Sequence, residues 1–102
     1  MSTTKSKGSV KNFTMKQTSN DPTRSVWSYN ATVDGEVDSY NGSIVMNKQK
    51  STVNIYREVN GKSRRIFASN ANELSQGGNT TGAGRMIASK AKSNKSIRNI
   101  LG

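Results

Sequence analysis

Residues 52–69 read TVNIYREV-NG-KSRRIFAS, two runs of eight residues on either side of Asn60-Gly61. Asn-Gly is the preferred pair for a two-residue type I′ turn, whose twist matches that of two antiparallel strands. Both runs are rich in β-branched or aromatic residues. The stretch therefore predicts an antiparallel hairpin with Thr52–Val59 and Lys62–Ser69 as its strands.

The turn also predicts the register of the hairpin, because a two-residue loop fixes which residues lie opposite each other. The expected pairs on one face are Val59 with Lys62, Arg57 with Arg64, Ile55 with Ile66, and Val53 with Ala68. The reverse face pairs Tyr56 with Arg65 and Asn54 with Phe67. One face thus has an apolar end, whereas the other mixes aromatic rings with guanidinium groups.

Outward from this hairpin, three more segments have strand character. Residues 24–33 alternate, with Trp27 and Tyr29 on one face, and Asp34-Gly35 predicts a tight hairpin turn into a strand over 36–47. Gly42 interrupts that strand and favours a bulge or bend. Residues 10–18 form a weaker strand, separated from the next by a turn at 19–23.

The chain divides into four parts: a basic tail over 1–9, an antiparallel β domain over 10–75, a Gly-rich linker over 76–84 and a basic amphipathic helical segment over 85–102. Asn70 and Glu73 have the spacing of a capping box. Ser93 or Asn94 could cap a separate last helix, which Gly102 would end. The predicted fold class is α+β, mainly β, with a four- to five-stranded antiparallel meander followed by a linker and a short basic C-terminal helix.

Composition indicates what such a domain binds. The 102 residues include 16 Lys and Arg against 6 Asp and Glu, a net charge of +10. A basic excess of this size favours a polyanionic partner such as nucleic acid. Only 30% of the residues are hydrophobic, so we also expect at least a dimer, formed through a sheet edge or a C-terminal apolar stripe. The stripe consists of Met86, Ile97, Ile100 and Leu101.

Several kinds of chemistry lack their usual residues. The chain has no His and no Cys, which removes the commonest general base, the thiol nucleophile and the usual zinc ligands. The Gly-rich stretch 77–84 ends Gly84-Arg85, without the Lys-Ser/Thr of a phosphate loop. Asp34, Glu36 and Asp38 would share one strand face, where we interpret them as solvated. We predict no enzyme activity, cofactor, metal, small-molecule substrate or membrane span, and a cytoplasmic or virion-packaged protein.

Aromatic and cationic residues interleave on the predicted strands, as in proteins that stack single-stranded bases in a basic groove. An antiparallel sheet followed by a helix resembles single-strand-binding folds such as coactivator-type and Whirly-like sheets; the similarity is one of arrangement. Trp27 and Phe67 are expected in the core, and Tyr56 is the best exposed candidate. The predicted nucleic-acid-binding residues are centred on Tyr56, Arg57, Arg64 and Arg65, with Lys5, Lys7, Lys16, Arg24, Arg85, Lys92, Lys95 and Arg98 around them.

Two other classes of function fit the same composition. Small basic β proteins rich in Ser, Thr, Asn and Gly also serve as virion or other assembly subunits with basic arms. A third possibility is an inhibitor or adaptor that docks a basic face on an acidic protein. Salt dependence of binding is expected for nucleic acid, and a high molecular mass without nucleic acid for an assembly subunit.

Overall fold

The structure is a computed structural model that describes residues 9–69 and 81–102. Predictions that concern residues 1–8 and 70–80 lie outside these ranges. They include the tail with Lys5 and Lys7, the capping box at Asn70 and Glu73, and most of the Gly-rich linker.

Five antiparallel strands form one sheet in chain order, which confirms the predicted meander. The strands are β1 Val10–Asn20, β2 Arg24–Val33, β3 Tyr40–Asn47, β4 Thr52–Val59 and β5 Lys62–Ala68. Asn60 and Gly61 both have positive φ, as a type I′ turn requires. The fold is therefore α+β and mainly β.

The two faces of the sheet differ in what covers them. The inner face, marked by Trp27, Tyr29, Ile44 and Ile55, is buried and forms the core. The outer face carries the alternate residues of the same strands, among them Ser28 and Ser43, which remain partly exposed. Antiparallel pairing carries this alternation from strand to strand because residues directly opposite each other share a face.

Two helices follow, α1 over Gly82–Ala91 and α2 over Lys95–Leu101. The hydroxyl of Thr81 accepts from the Gly84 N–H, so α1 begins before the predicted start at residue 85. Asn94 caps α2 by accepting from the Ile97 N–H, and Gly102 ends it with positive φ, as predicted. Neither helix in the described part of the chain is long and apolar enough to cross a membrane.

Helix α1 contacts both edge strands, β1 and β5, and α2 contacts β4. In a flat sheet the edges would lie about 19 Å apart, farther than the length of about 15 Å of a helix of ten residues. The sheet is therefore curled around its inner face, with α1 across the opening.

The predicted C-terminal apolar stripe packs into the core and does not form a free surface. Ile97 is buried, and Met86, Ile100 and Leu101 pack against the core cluster.

The predicted start of β3 at residue 36 is wrong, although the predicted tight turn forms. Asp34-Gly35 does form a β-turn, closed by a bond from the Glu36 N–H to the Val33 carbonyl, but β3 begins only at Tyr40. A two-residue loop would have placed Asp38 opposite Ala31 on the buried face, where an unpaired carboxylate is costly. The observed register instead pairs Tyr40 with Ala31, and the three carboxylates lie in a loop, not on a strand face.

The β4–β5 register is confirmed from the turn as far as Tyr56–Arg65 and is wrong beyond it. A bulge follows, so that Ile55 lies opposite Phe67 and Asn54 opposite Ala68. Bulges add one residue and increase the local twist, which suits a curled sheet. Ile66, the additional residue, is buried, and its carbonyl accepts from the Thr81 N–H at 3.0 Å. The bulge thus orients β5 for docking of α1.

Candidate nucleic-acid interface

One row of side chains crosses all five strands on the outer face. Successive pairings join Lys16 to Ser28, Ser28 to Ser43, Ser43 to Tyr56, and Tyr56 to Arg65. We call these five residues the outer row. A cation stands at each edge strand, an aromatic ring lies beside one of them, and two small hydroxyl residues lie between. This is the combination of stacking surface and charge that single-strand binders use.

The outer face has an excess of positive charge around this row. Arg24 lies on the same face, paired with Asn47, and is exposed. Lys11 is there too, but its Nζ lies 3.4 Å from a carboxylate oxygen of Asp34. Glu58 is the acidic residue that the alternation of β4 places on this face. Lys16, Arg24 and Arg65 therefore outnumber Glu58 on a surface that a polyanion could approach.

The predicted hairpin cluster is divided between the two faces. Tyr56 and Arg65 lie on the outer face, whereas Arg57 and Arg64 face each other on the inner face. The Arg57 guanidinium carbon lies 3.6 Å from the centroid of the Tyr40 ring. Such a stack fixes the orientation of the guanidinium plane. Arg57 therefore cannot belong to the same surface as Tyr56, although the two residues are adjacent in sequence.

A buried tyrosine supports the backbone beneath Tyr56. Tyr29 lies opposite Gly42 in the register, and its hydroxyl donates to the carbonyl of Tyr56 at 3.1 Å. A Cβ at Gly42 would lie 2.0 Å from that same oxygen. Glycine is therefore required at position 42 for this close approach. The close approach, and not a bulge in β3, explains why Gly42 lies within the strand. The inner face in this way holds the strand that presents Tyr56 outward.

Burial also changes the titration of the inner tyrosines. It raises the pKa of Tyr29 well above the usual value, an effect that the nearby Arg57 charge partly offsets. Burial raises the pKa of Tyr40 as well, again opposed by Arg57. Both phenols therefore stay neutral at physiological pH. Arg57 lies close enough to influence both rings, which places its charge at the end of the core.

The helix cations lie apart from the outer row, because both helices pack on the inner face. Arg85, Lys95 and Arg98 are exposed, and Lys92 is half-buried. Two of them bind the backbone: Lys92 Nζ donates to the Gly102 carbonyl at 3.4 Å, and Arg98 to the Lys92 carbonyl at 3.0 Å. The structure does not bring these four residues together with Lys16, Arg24, Tyr56 and Arg65.

The sequence predicts both ends of the outer row and its aromatic residue as binding residues, but not Ser28 and Ser43. Their small size conveys no chemical signal, and only the complete register places them between Lys16 and Tyr56. Within residues 9–69 and 81–102, no group of three or more acidic residues is arranged to hold a metal ion.

Comparison with protein-family models, with curated protein sequences and with solved structures finds no match to this chain. The geometry of the two faces is therefore the basis on which function is inferred.

Proposed function

We propose that this protein binds single-stranded nucleic acid, DNA or RNA, on the outer face of its sheet and carries out no catalysis. The observation that carries the proposal is the outer row. Base stacking on an exposed aromatic ring is worth about 1–3 kcal/mol per base and tolerates any sequence. Bases in a duplex are already stacked on one another, so Tyr56 favours an unpaired strand.

The positions of the positive charges also favour binding of nucleic acid on the outer face. Lys16 and Arg65 stand at opposite edges of the sheet, on β1 and β5. A strand lying along the outer row would meet a cation at each end and the tyrosine ring between them. Each phosphate neutralised releases counterions, so the affinity should fall with salt.

The test is a pair of double variants, titrated with an oligothymidylate of about 12 nucleotides, a length within known site sizes. Lys16→Ala with Arg65→Ala should weaken binding by about ten-fold or more and lower the slope of log affinity against log salt by about 1.4, or about 0.7 for each of two contacts to a single strand. The matched control is Lys90→Ala with Lys95→Ala, which removes the same charge from the helices. It should cost less than about three-fold.

Two results would contradict the proposal. Equal losses in both double variants would mean that net charge, not the outer face, attracts the ligand. Affinity that is flat between low and moderate salt would exclude a polyanion as the ligand. Thermal unfolding of each variant checks that Arg65→Ala leaves the fold intact, and Arg65→Lys, which keeps the charge, should recover part of the affinity.

We also propose self-association through a sheet edge. With Met86, Ile97, Ile100 and Leu101 packed in the core, the edges β1 and β5 are left as the predicted route. Light scattering at tens of micromolar should give at least the mass of a dimer. A monomer there would refute this proposal, and a large assembly without nucleic acid would favour the alternative of a virion or other assembly subunit.

A further inference from the structure

The tip of the β4–β5 hairpin carries two arginines that the outer row does not use. Arg57 and Arg64 lie directly opposite each other on the inner face. Like charges in this position destabilise a hairpin unless an opposite charge lies between or beside them. Within the described residues, neither arginine has a carboxylate within 4.0 Å. The pair is therefore a local excess of charge without a partner.

Arg57 is held in a defined orientation. Its guanidinium lies over the Tyr40 ring, and its Nε is buried without a hydrogen-bond partner among the described residues. One face of the guanidinium therefore lies against a ring, and its Nε is shut off from water. Its terminal N–H groups are left for a ligand. Because part of its hydration is lost, its interaction with an anion is strengthened.

Arg64 complements this arrangement. It is exposed, whereas Arg57 is half-buried, so one arginine is fixed and the other can adjust. Guanidinium groups bind phosphate oxygens through paired N–H donors, and two of them can hold a phosphate dianion. Glu36, in the loop after β2, is the acidic group whose charge reaches Tyr40, but it forms no ion pair with either arginine.

We infer that Arg57 and Arg64 form a binding site for a terminal phosphate of the nucleic acid. The inference rests on the proposed function for the source of that phosphate. Arg65, on the outer face, and Arg64, on the inner face, are neighbours in β5, which is an edge strand. A strand that leaves the outer row at Arg65 can pass around this single edge, so that its end reaches Arg64 and Arg57.

The experiment compares three oligothymidylates of equal length, with a 5′-phosphate, a 3′-phosphate or neither. One phosphorylated end should raise the affinity by at least about three-fold, the size of a modest charge contact. Arg64→Ala should abolish that increment and leave the affinity for the unphosphorylated strand nearly unchanged. Lys62→Ala, which removes one exposed cation from the same strand, is the matched control and should keep the increment.

A second measurement separates this inference from the proposed function. Inorganic phosphate, titrated against chloride at constant ionic strength, should shift the NMR signal of the Arg57 Nε–H in the wild type but not in Arg64→Ala. If phosphate binds while no oligonucleotide does, the site stands and the proposed function fails. If phosphate binds but phosphorylated ends add nothing, the site holds free phosphate and its assignment to a strand end is overturned. If neither effect is seen, Arg57 only closes the core and the inference is wrong.

Discussion

The two faces of the sheet use the same kinds of residue for different purposes. On the inner face, Tyr40 is buried beneath Arg57, and its ring is a support for that side chain. On the outer face, Tyr56 lies beside Arg65, and its ring is half-buried. The tyrosine of the pair is buried on the inner face and half-buried on the outer face, whereas both arginines are half-buried. Side-chain type alone therefore does not identify the binding surface; its position in the sheet does.

Gly42→Ala should have the largest effect, because it disturbs both faces. The added Cβ would lie 2.0 Å from the Tyr56 carbonyl oxygen, so β3 and β4 must separate. The hydrogen bond from the Tyr29 hydroxyl to that oxygen is then lost. We expect a loss of about 3 kcal/mol or more in the free energy of unfolding, in the range of severe overpacking. Chemical denaturation measures it, with Asn41→Ala, exposed on the same strand, as the control. A loss equal to that of the control would contradict the close approach.

Tyr56→Ala tests whether the outer face binds the ligand through its aromatic ring. Loss of one stacking ring should weaken binding of the oligothymidylate by about ten-fold, or about 1.4 kcal/mol. Tyr56→Phe retains the stacking face and should bind within about two-fold of the wild type. If both variants bind equally weakly, the hydroxyl rather than the ring makes the contact, and stacking is not the mechanism.

Tyr29→Phe tests the inner face and should change the stability of the fold rather than the affinity for the oligothymidylate. It leaves the Tyr56 carbonyl without its donor, which should cost about 1 kcal/mol of stability with little change in affinity.

The wild type should also lose stability above about pH 10, the ordinary pKa of tyrosine. There the unfolded chain gives up a proton that Tyr29 retains in the folded state, because burial raises its pKa. Denaturation between pH 9 and pH 11 (about one unit below to one above) should show a smaller loss in Tyr29→Phe. Equal losses in both proteins would mean that Tyr29 is not the responsible group.

The sequence predicted much of the fold because its signals are local. Alternation in β2, the Asn60-Gly61 turn and the Asn94 cap each depend on residues close together in the chain. The β2–β3 loop and the bulge at Ile66 could not be predicted in this way. Each depends on a distant requirement, the exclusion of Asp38 from the core in one case and the docking of α1 on β5 in the other.

The candidate site was only half predictable for the same reason. Closeness in sequence predicts Arg57, Arg64 and Arg65 as one cluster. Their division between faces follows from alternation and was visible in the hairpin register. Which face stays open depends on where the helices pack, and the segment over 85–102 did not indicate that.

Glu58→Gln should have the smallest effect and the opposite sign. Removal of the acidic residue from the outer face lowers repulsion of the ligand, so affinity should rise by about two-fold at low salt and less at high salt. The change is read in the same oligothymidylate titration, with Asp21→Asn, in the β1–β2 turn, as the control. An unchanged affinity would place the ligand away from β4.

The most direct test of the outer face as the binding surface is a map of amide chemical shifts during titration with the oligothymidylate. We predict that the largest changes follow the outer row across the sheet, at Lys16, Ser28, Ser43, Tyr56 and Arg65, and that the exposed helix positions Lys90 and Lys95 change little. Changes concentrated on α1 and α2, with the outer row unaffected, would contradict the account.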